Sequence, residues 1–243
     1  MPADPSRQAA RMQLASLTAE PQNSRAAAAL SARFGPARPV GARPAAVLML
    51  FGVLDSLASD HRAASASVSR DLDVLLLARA STLRAHPGQV AFPGGRIDPG
   101  DEGAVGAAVR EAREETGLDP AGVEVLGTLA EVPLAYSGHV VTPVLAWWQH
   151  PSPVRVVDAG ESADVFRAPV ADLLDPANRG VTVLRREGQE WRGPGFLVPR
   201  GDGEHLVWGF TGMLLDGLFE LLGWSEPWDR SRVLPLADPR VGS

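Results

Sequence analysis

Apolar residues fall along this chain in short continuous runs of strand length. Residues 45 to 51, AAVLMLF, and 72 to 79, LDVLLLAR, predict two strands buried on both faces. Val123 to Leu129 and Val140 to Trp148 predict two more, and Gly88 to Phe92 a short one. Neighbouring residues on a strand point to opposite faces, so one of Trp147 and Trp148 is expected in the core. Between these runs the period changes. Asp98-Pro99-Gly100-Asp101 is turn chemistry with Asp101 as the expected N-cap, and Ala104, Ala108 and Ala112 recur at i+4 in a helix able to lie close to a sheet before Gly117 stops it. Further along, Pro169 opens a short helix ended by Asp175-Pro176, and a hairpin is expected across Arg192 to Phe196. Leu206 to Trp208 predicts a strand, followed by an amphipathic helix with Met213, Leu214, Gly217, Leu218, Leu221 and Leu222 on its apolar side.

The rest reads as connection and tail. Ser56 to Arg70 is polar and Ala/Ser-rich, a mobile loop expected beside the site. Residues 1 to 44 form an N-terminal extension, partly disordered or helical, with a frayed start and an amphipathic stretch around Ser24 to Phe34. Residues 45 to 224 form the main domain, and the Pro-rich tail from 225 to 243 is expected to be loose. The order of strands and helices fits an α/β sandwich, a mixed β-sheet between α-helices.

Composition narrows the function classes. With 243 residues, 45% hydrophobic and 21% charged, the chain can bury a full core. A net charge of −6 argues against general attraction to nucleic acid or to an anionic membrane. No apolar run approaches the ~18 residues that span a bilayer, so a soluble protein is expected, and the lack of cysteine is compatible with the expected cytoplasmic location. The absence of cysteine excludes disulfides, thiolate metal sites and a cysteine nucleophile.

Candidate chemistry concentrates at the end of the Ala-rich helix. On a helix turning about 100° per residue, Glu111, Glu114 and Glu115 share one face. Their mutual repulsion is compounded by the helix C-terminus, which disfavours anions. Arg110 stands i−4 from Glu114 and can pair with it, leaving Glu111 and Glu115 without a protein cation at helical spacing. Hard divalent cations bind through one or two carboxylates together with substrate phosphates. A solvated charged face is the alternative reading of the same three residues.

The surrounding residues favour the first reading. Arg110, Glu111, Glu114, Glu115, Gly117 and Leu118 resemble the Nudix box, G-x5-E-x7-R-E-U-x-E-E-x-G-U with U aliphatic, and Ala112 holds the internal U position. Glu102 falls on the first acidic position, but Gly95 is one residue further from it than the general pattern has, so Asp101 competes for that role. Upstream, residues 75 to 95 are similar to L-L-T-x-R-[SA]-x3-R-x3-G-x3-F-P-G-G, which marks the coenzyme A diphosphatase branch of the Nudix family. Arg79, Ala80, Arg84, Gly88, Phe92, Pro93, Gly94 and Gly95 match, and Leu77 replaces Thr. The longer loop, Gly94 to Asp101, is usual in that branch.

This resemblance implies the Nudix fold and a metal-dependent hydrolase. Glu111, Glu114 and Glu115 would hold Mg²⁺ or Mn²⁺, and Glu114, Glu115 and Glu161 would be catalytic, Glu161 by similarity to an acidic residue preceding a V/F-x-x-P-L/V-x-x-L-L run. Arg79, Arg84, Gly94 and Gly95 would bind substrate. The implied substrate is coenzyme A or an acyl-CoA, cut to 3′,5′-ADP and (acyl-)4′-phosphopantetheine by water. A Nudix hydrolase of another nucleoside diphosphate such as ADP-ribose or NADH, and a non-catalytic Nudix-fold binding module, are the rivals. A homodimer is left open.

Overall fold

The computed structural model describes residues 5–19, 30, 32–34, 40–53, 58–82, 88–134, 137–186, 188–201 and 203–236. Its elements run α1 (Pro5–Ala19), β1 (Arg43–Val53), β2 (Leu72–Arg79), β3 (Val90–Ala91), β4 (Gly94–Arg96), α2 (Gly103–Thr116), β5 (Val123–Thr128), β6 (Val132–Leu134), β7 (His139–Trp148) and β8 (Ser162–Pro169). There follow α3 (Val170–Leu174), β9 (Arg179–Arg186), β10 (Gln189–Arg200), β11 (Gly203–Val207), α4 (Gly209–Leu221) and β12 (Val233–Leu234).

Eight strands, β1 to β8, form a mixed sheet with β1 at its centre. One edge of β1 pairs in parallel with β7, Arg43 opposite His139 through Phe51 opposite Trp147. The other edge is shared. Near its C-terminus β1 pairs antiparallel with β2, and near its N-terminus with β4. The chain crosses between those two pairings through Pro93, whose carbonyl accepts Leu48 N at 2.8 Å. The double-glycine bend therefore sits against the centre of the sheet.

Alternation along β1 divides the core in two. Ala46, Leu48 and Leu50 face α2 and pack with Ala107, Ala108 and Ala112, whose small side chains let helix and sheet approach closely. Met49 and Phe51 face the other way, into a larger cluster with Leu14 of α1, Phe196 of β10 and Leu214 and Leu218 of α4. Trp147 and Trp148 join opposite clusters, and both are buried, where sequence alternation placed only one inside. The sheet has core on both faces, so either orientation is interior.

Several expectations are corrected. The hairpin is not across Arg192 to Phe196, which lie within β10; β9 and β10 pair from Arg179 opposite Phe196 to Arg186 opposite Gln189, placing the turn further out. The glycine there serves contact instead of turning, since a Cβ on Gly195 would lie 2.8 Å from Thr182 Cγ2. The tail is not loose in its described part. β12 pairs with β9, and Leu234 is buried against Gly180 and Gly195. The described part of the 56–70 loop is tied down, with Ser59 N bonded to Arg70 O and His61 Nε2 3.1 Å from Glu226 Oε1. The amphipathic stretch expected around Ser24 to Phe34 lies mostly outside the described residues. The helix of the extension is α1, whose Ala10 and Leu14 enter the core and whose Arg11 pairs with Glu124.

Candidate active site

Glu111, Glu114 and Glu115 ride on the last two turns of α2. The helix ends where Gly117 adopts φ 70°, the left-handed region in which a side chain is strained, and its N–H bonds Arg113 O at 2.9 Å. Buried Thr116 donates Oγ1–H to the Ala112 carbonyl at 2.6 Å. The carboxylates are thus set on a well-terminated helix that small alanines hold close to the sheet.

Arg110 fixes the loop to that helix. Nε and Nη2 reach the two carboxylate oxygens of Asp101 at 2.8 and 3.0 Å, Nη2 also reaches the Arg96 carbonyl at 3.1 Å, and Nη1 reaches Glu111 Oε1 at 3.0 Å and Glu114 Oε2 at 3.1 Å. Every N–H of the guanidinium has an acceptor. The Asp101 bonds, foremost, raise the Arg110 pKa, and Arg110 in turn holds the Asp101 carboxyl down at about 2, helped by the Asp98 N–H. Asp101 is therefore the acidic partner of the longer loop and not the N-cap. Glu102 occupies the cap position with no side-chain cap bond and is exposed. Helical spacing gave Arg110 to Glu114 alone. The structure adds Glu111, because the guanidinium turns toward the loop and passes its own neighbour.

Glu115 is the carboxylate left over. Its Oε2 accepts the Gly94 N–H at 2.9 Å, and burial pushes its pKa up to about 7. The Gly94 bond and the charge of Arg79 oppose that rise, while Glu111 and Glu161 reinforce it. Burial likewise raises Glu111, against the pull of Arg110. Glu114 is half exposed at 51% and, among the described residues, pairs only with Arg110. The bend requires glycine at Gly94, where a Cβ would collide with the Ala46 carbonyl and Val47, and a Cβ on Gly95 would push the Glu111 carboxylate aside.

The other residues singled out in the sequence divide into three groups. Arg79, at the end of β2, acts on Glu115 electrostatically, and its buried Nε has no hydrogen-bond partner among the described residues. Glu161 lies just before β8, exposed, with its carbonyl accepting Ala80 N at 2.9 Å, and its charge is felt at Glu115. Arg84 lies outside the described residues. A cavity of about 200 Å³ lined by Leu30, Arg33, Gly217, Glu220 and Leu221 shares no residue with this cluster.

A glycine bend holding one carboxylate by its backbone and leaving room for a second is thus joined to a loop locked by one arginine. The family model described as the NUDIX domain matches residues 59–186. The chain belongs to the Nudix family. Proteins named "Uncharacterized Nudix hydrolase NudL" are similar to it: that of Photorhabdus laumondii is 36% identical over 151 residues, covering 60% of this chain and 74% of the relative. That of Escherichia coli K12 is 36% identical over 150 residues, covering 62% and 75%. A solved Nudix hydrolase from M. smegmatis, RenU, aligns over 51% of this chain and 69% of its own at 29% identity and a TM-score of 0.39. The mixed sheet between helices is the Nudix fold.

Nudix hydrolases generally use divalent cations such as Mg²⁺ or Mn²⁺. Among the described residues no three Asp, Glu or His side chains gather into a ready-made cage. Two carboxylates instead meet at the glycine bend. Glu111 and Glu115 are hard oxygen donors facing the same glycine bend, each with a pKa raised by burial, and among the described residues no guanidinium is bonded to Glu115. A dication completed by substrate phosphate oxygens fits that donor set.

Proposed function

We propose that this Nudix hydrolase cleaves the diphosphate linkage of coenzyme A or an acyl-CoA. The observation that carries the proposal is the assembly of two sequence motifs around one carboxylate: Glu115 from the helix is held by Gly94 N–H and faced by the charge of Arg79 from the upstream motif. The upstream motif is the part of the chain that resembles the coenzyme A diphosphatase branch, and a hydrolase of ADP-ribose or NADH would not need it.

In this reading Glu111 and Glu115, with Glu114 close by, hold Mg²⁺ or Mn²⁺. The bound cation supplies Lewis-acid charge to the phosphate oxygens. Arg79 and Arg84 bind the anionic substrate, guanidinium being suited to phosphate by its paired donors. The backbone of Gly94 and Gly95, with no Cβ in the way, lets the diphosphate approach the carboxylates. Glu161, whose charge is felt at Glu115, accepts the proton of the attacking water. The water oxygen bonds to one phosphorus as the bridging P–O bond breaks, giving 3′,5′-ADP and 4′-phosphopantetheine. The small-molecule substrate is the expected partner, with no role for nucleic acid or membrane.

The test is product analysis. Purified protein incubated with CoA and Mg²⁺ or Mn²⁺ should yield those two products, with ADP-ribose and NADH cleaved poorly beside it. Intact CoA under conditions where ADP-ribose is cleaved would overturn the substrate and leave the hydrolase.

A further inference from the structure

On the sheet face opposite α2, three basic groups converge at the end of the sheet that carries the glycine bend. β1 places Arg43 opposite His139 of β7, and two residues later Ala45 opposite Arg96 of β4. Side chains alternate along a strand and cross-strand partners share a face, so Arg43, His139 and Arg96 all stand on one side. Gly95, one residue before Arg96, faces Glu111 on the other side. The bend thus presents carboxylates to one face of the sheet and a guanidinium to the other.

These groups are not used up by the fold. Arg43 and Arg96 are exposed, and among the described residues neither has a carboxylate partner. Among the described residues Arg43 Nη2 reaches only the Ser137 carbonyl, at 3.3 Å, which also faces the His139 ring. By contrast Arg11, Arg33, Arg110, Arg167 and Arg179 are all paired with acids. Burial lowers the His139 pKa, and the charges of Arg43 and Arg96 lower it further. Two guanidinium groups with no carboxylate partner among the described residues, beside an imidazole, make a positive patch on a chain whose net charge is −6.

We propose that Arg43, Arg96 and His139 form an anion subsite for a phosphate monoester carried by the substrate. A monoester is close to a dianion at neutral pH and has three acceptor oxygens, which suits two forked donors better than a singly charged diester does. The identity of the monoester rests on the function proposed above, under which it is the 3′-phosphate of coenzyme A. The subsite then separates coenzyme A from its dephosphorylated form through binding and not through the chemical step.

Calorimetric titration of the full-length, metal-free protein with adenosine 3′,5′-bisphosphate and with AMP tests this without turnover. The wild type should bind the bisphosphate about tenfold or more tightly than AMP, the size of one charge-assisted contact. In an Arg43→Gln/Arg96→Gln variant the preference should vanish while the melting temperature holds, both side chains being exposed. Equal binding of the two nucleotides by the wild type, or a preference surviving in the variant, overturns the proposal. So does inorganic phosphate binding as tightly as the bisphosphate, which would mark a free-phosphate site. A kinetic arm comparing CoA with dephospho-CoA should show the difference in KM with kcat nearly unchanged, and a difference in kcat alone counts against it. Failure to cleave CoA at all would remove the function proposed above while leaving the nucleotide preference to decide the subsite.

Discussion

Glu115 combines two properties that rarely coexist on a surface helix: it is largely buried, and among the described residues no arginine is bonded to it. Its anion is held by one backbone N–H and opposed by Glu111, so the charged form is costly in the metal-free protein. Glu115→Gln keeps the shape and the acceptor for Gly94 while removing the charge. Turnover should fall by about 10² or more, as when a charge-stabilising group is deleted from an active site, with the melting temperature at pH 8 unchanged or higher. Activity near wild type in a folded Gln variant would remove Glu115 from the site. Arg110 illustrates the complementary case. Its pairing with Glu114 follows from helical spacing, whereas its bonds to Asp101 and the Arg96 carbonyl depend on where the loop turns.

Among the elements, the junction of β1, β2, β7 and β8 carries the most exposed test of electrostatics. Asp73 on β2 is fully buried, 2.7 Å from Arg167 Nη2 on β8, and Arg167 lies 4.6 Å over the Trp148 ring. Gly52 makes the space: a Cβ there would come within 2.9 Å of Trp148 Cβ and 3.3 Å of Arg167 Nη2. Burial pushes the Asp73 pKa up to about 7 in spite of Arg167, from an ordinary 3.8. Between those values the folded state holds a proton that the unfolded chain has lost, so the protein loses stability as pH rises from about 4 to 7. Asp73→Asn should flatten the fall in melting temperature across pH 4.5 to 8, an effect of roughly a few kcal/mol at most. Glu115 contributes with the same sign, so the measure is the difference in slope, and equal slopes would refute the assignment.

At the scale of the whole molecule, segments remote in sequence close the structure. The C-terminal segment brings Leu234 over Gly180 and Gly195, Glu226 to His61, and the ring of Trp228 to 4.6 Å from the guanidinium carbon of buried Arg179. Ending the chain after Ser225 should lower the melting temperature by roughly 5–10 °C, since it uncovers a buried leucine and one face of a buried arginine. An unchanged melting curve would show the segment to be dispensable. The strands at 45–51 and 72–79, the alanine helix with its Gly117 stop, and the shared face of Glu111, Glu114 and Glu115 were all legible in the sequence, because periodicity and turn chemistry act over a few residues. The same residues could not reveal that β12 joins β9, that Gly195 marks a close contact, or that Arg110 reaches Glu111. Nor could they reveal that Arg43, Arg96 and His139 meet. The strand pairings depend on register across as many as about a hundred residues, which only the packed sheet sets, and the Arg110 contact depends on where the loop of Asp101 lies against the helix.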